Sequence, residues 1–207
     1  MDPLDFKPME SEDHEQILDF IRESLTKADP DRLRRAVLSL DWVESGPHLS
    51  GPLMQLVLHG SQELALIALD GLGRLEAFEV ERELAGHIEA LWPELDPAVC
   101  QFRAECIRVL GRLGKEKSVE KLAALILAAE PKHENDHMAA VEGLVSLGVR
   151  GIPGVAAVLE RLHGRTPEGD LRLSLANALR ELNVSDWDTK GYMTIEARYE
   201  REPQDDQ

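Results

Sequence analysis

The chain has 207 residues, with 39 acidic against 23 basic side chains, a formal charge of −16, 43% hydrophobic content and 4% aromatic content. That length fits one domain or one extended repeat array, and the apolar content excludes wholesale disorder. The acidity argues against docking on a nucleic-acid backbone, which needs clustered Lys and Arg, and against anionic membrane surfaces.

The start, Met1-Asp2-Pro3-Leu4-Asp5, lacks the basic and apolar regions of a secretory leader, and residues 1–10 read as disordered. Residues 12–27 read as a helix with Ile17, Leu18, Ile21 and Leu25 on one face. Five later segments share the spacing i, i+3, i+4, i+7, the stripe of an amphipathic helix. They are Leu33, Ala36, Val37, Leu40; Ala65, Ala68, Leu69, Leu72; Arg103, Cys106, Ile107, Leu110; Ala140, Gly143, Leu144, Leu147; and Leu175, Ala178, Leu179, Leu182. The third departs at Arg103, where Phe102 is expected to cover the gap. The final Leu recurs after 32, 38, 37 and 35 residues, a period that fits a helical hairpin. Second helices are predicted over 52–59, 79–92, 118–129 and 152–163. Gly73, Gly111 and Gly148 are expected to stop the first helices through left-handed caps. Asp29, Ser61, Asp96, Asp136 and Asp170 read as helix starts, and Pro52 and Pro153 suit first turns. The longest apolar run, Leu122 to Ala129, has eight residues, whereas a spanning helix needs roughly 20. Cys100 and Cys106 lie six apart on one predicted helix, point different ways, and read as unpaired small residues of a reducing cytosol.

One stretch carries a resemblance. Phe102 to Gly114, reading Phe-Arg-Ala-Glu-Cys-Ile-Arg-Val-Leu-Gly-Arg-Leu-Gly, followed by Val119-Glu120-Lys121-Leu122, resembles a HEAT-like repeat of the phycobilisome-lyase type. Residues 139–162 and 64–91 match more loosely, and the likeness covers about 31–183. The acidic residue such repeats often carry after the Leu-Gly pair is missing, with Lys115 or Val149 nearby. The resemblance implies a right-handed α-solenoid whose second helices line a concave, protein-binding surface, and it implies no chemistry. The expected fold is all-α: a solenoid of HEAT-like hairpins over 11–183, an N-terminal capping helix, and a non-repeat C-terminal tail over 184–207 partly packed on the last repeat. In that tail Trp187, Tyr192 and Tyr199 are candidates for docking, and residues 193–199 alternate like a strand.

The sharpest catalytic motif is His133-Glu134-Asn135-Asp136-His137, the H-E-x-x-H pattern in which two His one helical turn apart hold zinc and the Glu activates water. Pro131 and the helix-start character of Asn135-Asp136 interrupt the continuous helix that this chemistry requires. Metal-dependent hydrolysis through His133, Glu134 and His137, and bilin-lyase-like chromophore binding, therefore stand as alternatives. The leading reading needs no cofactor. His87 falls among Leu84, Ile88 and Leu91 and reads as a core or groove histidine.

Charge is uneven along the chain. Residues 61–97 hold nine acids against Arg74 and Arg82, a net of −7, and residues 98–129 invert to +3. Glu79, Glu81, Glu83 and Glu89 decorate one predicted second helix, while Arg108, Arg112 and Lys115 share a face of the next hairpin. The function expected is a non-catalytic cytoplasmic scaffold, adaptor or regulator that binds another protein with a basic surface through those four acids. An acidic inhibitor or immunity protein of a basic target is the further alternative.

Overall fold

A computed structural model describes residues 11–27, 29–42, 47–128 and 134–183. These residues form ten α-helices and three short 3-10 turns, with no strand among them. The helices are α1 (Ser11–Lys27), α2 (Pro30–Leu38), α3 (Ser50–His59), α4 (Gln62–Arg74), α5 (Glu81–Leu91), α6 (Pro97–Leu113), α7 (Glu116–Leu127), α8 (Glu134–Val149), α9 (Val155–Arg165) and α10 (Asp170–Asn183). The expected helices are present within a few residues of their predicted limits.

The five stripes bury as the periodicity requires. Ala36, Ala68, Cys106 and Leu144 are fully excluded from solvent, and one apolar cluster runs unbroken from Ile21 to Leu179. Small side chains let the even-numbered helices lie close together. Accordingly α2, α4, α6, α8 and α10 form a row, each packed on the next. Each of α3, α5, α7 and α9 packs on the even-numbered helix that follows it, and α1 lies on α2 through Ile21 and Leu25. Three of the expected starts work as caps: Asp29, Ser61 and Asp96 accept hydrogen bonds from the backbone amides of Arg32, Leu64 and Ala98.

Two expectations change. Gly73, Gly111 and Gly148 do not end helices; each sits inside α4, α6 or α8, one to two residues before the end. Their role is contact. A Cβ on Gly111 would lie 2.2 Å from the Cα of Gly143, so α6 and α8 touch backbone to backbone. A Cβ on Gly148 would lie 2.5 Å from Leu182. Asp136 does not start α8 either; it lies in the first turn, is only 1% exposed, and pairs with Arg103.

Arginines tie the carboxyl ends of the row together. The Arg112 guanidinium lies over Gly73 at the end of α4. Further along the chain, Arg150 donates to the carbonyls of Arg112 and Gly114 at the end of α6 and stacks 4.9 Å from the Phe78 ring centroid. A cation at a helix carboxyl terminus satisfies orphan carbonyls and complements the helix dipole.

Candidate interaction surface

The most buried polar cluster surrounds Arg103, whose side chain is 0% exposed. Its Nε and Nη2 donate to Asp136 Oδ2 at 3.1 and 2.6 Å, and its Nη1 donates to the carbonyls of Leu91 and Glu94 at 2.6 and 2.9 Å. The guanidinium also lies 5.2 Å from the Trp92 ring centroid, with Cys100 Sγ 3.5 Å from Nη2. One side chain thus joins the end of α5, the body of α6 and the start of α8. The planar five-donor fork suits this task, and each donor faces a carbonyl, carboxylate or sulfur. The arrangement is a staple between helices. Phe102 beside it is half-buried against the core and packs edge-on to His87, with ring centroids 5.9 Å apart.

The four acids of the predicted surface divide. Glu81 is half-buried and turned inward: its carboxylate accepts from the Lys115 amide and from Ser118 Oγ, capping α7. Lys115 itself has no capping side chain to offer at that position, so the preceding hairpin supplies one. Glu79, Glu83 and Glu89 stand exposed, outside every ion pair among the described residues. Gly86 lies between them, and a Cβ there would meet nothing within 4 Å.

The basic patch divides as well. Arg108 is held between Glu105 at 2.7 Å and Glu142 at 2.5 Å. Burial works against its charge, but the hydrogen bond it donates to Glu142 and the two carboxylates outweigh it and push the pKa above the usual arginine range. Arg112 covers α4, and Lys115 is exposed. The net positive charge of this stretch is therefore carried outward by Arg112 and the lysines rather than by Arg103 or Arg108.

Titratable groups elsewhere are shaped mainly by burial. Burial, reinforced by nearby His59, lowers the pKa of His87, and its Nε2 has no hydrogen-bond partner among the described residues. Burial also lowers His163, aided by Arg172. Burial pushes the Cys106 thiol up to about 12, with Glu105 adding to the effect, so this cysteine is a core residue and not a nucleophile. Cys100 and Cys106 are both free.

Of the H-E-x-x-H motif, Glu134 is exposed at the start of α8 and His137 is buried, while His133 lies outside the described residues. Among the described residues no group of three His, Cys, Asp or Glu could hold a metal ion. Trp187, Tyr192 and Tyr199 also lie outside the described residues. No helix among those described is long and apolar enough to cross a membrane.

Two grooves run between neighbouring even-numbered helices. One, of about 570 Å³, separates α2 and α4, with Leu38 and Leu66 along it and Arg34, Glu63 and Asp70 at the rim. The other, of about 400 Å³, separates α8 and α10 between Val141, Val145 and Asn177. The rim of the first is already paired, Arg34 with Glu63 and Asp70 with Arg74.

Sequence reasoning missed the Arg103 staple and the Glu81 cap. The signal for the first was present, because Arg103 occupies a slot that is apolar in the other four segments. The Glu81 cap had no signal, since it joins residues 34 and 37 apart in different hairpins. Compared with family models, curated proteins and solved structures, the chain matches none.

Proposed function

We propose that this chain is a HEAT-like α-solenoid that serves as a non-catalytic, protein-binding scaffold, adaptor or regulator, with the outer face of α5 as its docking surface. The serial packing of α2 through α10, each helix on the next, supports the solenoid reading, with α1 as its N-terminal cap. In such a reading α3, α5, α7 and α9 line the concave side. Two free cysteines, one fully buried, suit a reducing cytosol.

The observation that carries the reading is the state of Glu79, Glu83 and Glu89, exposed and without counter-ions among the described residues. Carboxylates left free in this way steer and select a basic partner. The buried polar groups of Arg103 and Asp136 are engaged in holding helices together, which favours a scaffold over an enzyme.

The test uses Glu83→Lys with Glu89→Lys as bait beside the wild-type chain in capture from the native cell. Glu81 stays unchanged because it caps α7. Proteins with basic surfaces are expected on the wild-type bait and depleted on the variant, at equal thermal stability. An identical set on both baits would sink the reading.

A further inference from the structure

We infer that a basic partner of the α5 face is a second copy of this chain, docked α5 against α7. This rests on α5 being a docking face and adds the occupant. Glu83, Gly86 and Ala90 share one stripe of α5, Glu79 stands four residues before Glu83 in the 3-10 turn Phe78–Val80 that leads into it, and all four are exposed. On α7 Lys117, Lys121 and Ala124, with Ala128 just past its last residue, have the same sequence spacing and are likewise exposed. Each α7 position follows its α5 counterpart by 38 residues, the offset that separates Leu72 from Leu110. Adjacent hairpins therefore carry the same spacing, with opposite charge at its first two positions and small residues at its last two.

None of these four charged side chains enters an ion pair among the described residues. The Glu81 carboxylate, bonded to the Lys115 amide and Ser118 Oγ, holds the N-terminal ends of α5 and α7 side by side. A two-fold axis parallel to these helices and midway between them places α5 of each copy on α7 of the other. Glu79 and Glu83 then meet Lys117 and Lys121 of the partner subunit. Gly86 and Ala90 meet Ala124 and Ala128 of the partner subunit, where nothing lies within 4 Å of a Cβ on Gly86 to hinder close approach. An isologous interface has to be self-complementary, and this pair of stripes is.

Magnitudes set the strength. Helices of 11 and 12 residues are about 17 Å long, so the two together cover roughly 350 Å² per copy, below the ~800 Å² of a standard interface. Association is therefore weak and concentration-dependent. The net charge of −16 opposes it at long range, but at 0.1 M salt repulsion beyond about 10 Å is largely screened while direct contacts persist.

Sedimentation velocity on the full chain tests this at about 100 μM protein and about 0.1 M salt, conditions chosen for a weak, charge-dependent pair. The expected result is a reversible dimer that dissociates at about 1 M salt. Glu79→Lys/Glu83→Lys and Lys117→Glu/Lys121→Glu are each expected to sediment as monomers, with unchanged circular dichroism because all four side chains are exposed. An equimolar mixture of the two variants is expected to recover the dimer, since every mixed contact is again between opposite charges. A wild-type chain that stays monomeric, or a mixture that fails to pair, overturns the inference. A monomeric wild type whose Glu83→Lys/Glu89→Lys variant still loses a captured cellular protein overturns self-pairing alone and leaves the docking reading intact.

Discussion

Arg103 occupies the position that Leu33, Ala65, Ala140 and Leu175 hold in the sibling hairpins. Its charge is tolerated there because Asp136 and three carbonyls converge on it. Breaking one side of such a buried pair typically costs about 3–5 kcal/mol. Arg103→Met should therefore lower stability in urea unfolding by about that much, and Arg103→Lys should not rescue it, since an ammonium cannot reproduce the fork. The double change Arg103→Met with Asp136→Leu should recover part of the loss, because it removes the stranded carboxylate. Histidine behaviour is decided at the same scale. His87 and His163 titrate below their ordinary value in the folded chain because burial disfavours the charged form. Unfolded, each binds its proton from about pH 6.5 downward. The unfolded state then holds more protons, so their contribution to stability is complete above about pH 6.5 and falls as the pH drops toward the folded pKa. His87→Leu should flatten the stability profile between about pH 7 and 5, read by thermal melts across that range.

At the scale of elements, the stripes foretold which helices form and which faces they bury, because amphipathic spacing and Asp, Ser and Pro at helix starts act locally. The glycines were legible as special but not as to why. A glycine near a helix end fits a left-handed cap or a close crossing equally well, and only the neighbouring helix decides. Gly111 and Gly86 offer the contrast. Gly111→Ala forces a Cβ to within 2.2 Å of Gly143 Cα, and overpacking of this kind should destabilise by about 1–3 kcal/mol. Gly86→Ala puts its Cβ into open space in mid-helix and should stabilise the chain by about 0.5–1 kcal/mol. Thermal melts of the two variants at low protein concentration should move in opposite directions; a shared direction would show that Gly111 is not a crossing point. The charge assignment divided for a related reason. Sequence places Glu79, Glu81, Glu83 and Glu89 on one helix, but which of them turns inward depends on the α7 amide and hydroxyl that Glu81 meets.

For the whole molecule, the −16 charge is distributed between internal ties and free faces. Arg32, Arg34, Arg103, Arg108 and Arg161 engage Glu23, Glu63, Asp136, Glu142 and Glu120 across helices. What remains outside those ties is Glu83 and Glu89 with Arg82 on α5, Glu79 just before it, and Lys117 and Lys121 with Glu116 on α7, with small residues beside these charges. In the proposed function, these charges supply the surface for partners, whether another protein or its own copy. The central claim is that the outer face of α5 contacts protein in the cell. Site-specific photocrosslinking measures this most directly, with a benzoylphenylalanine placed at position 86, where open space accommodates it, and a control at exposed Asp31 on α2. The expected result is a discrete covalent adduct from position 86 that is lost with Glu83→Lys/Glu89→Lys and is absent from position 31. No adduct at 86, or equal adducts at both positions, would contradict it.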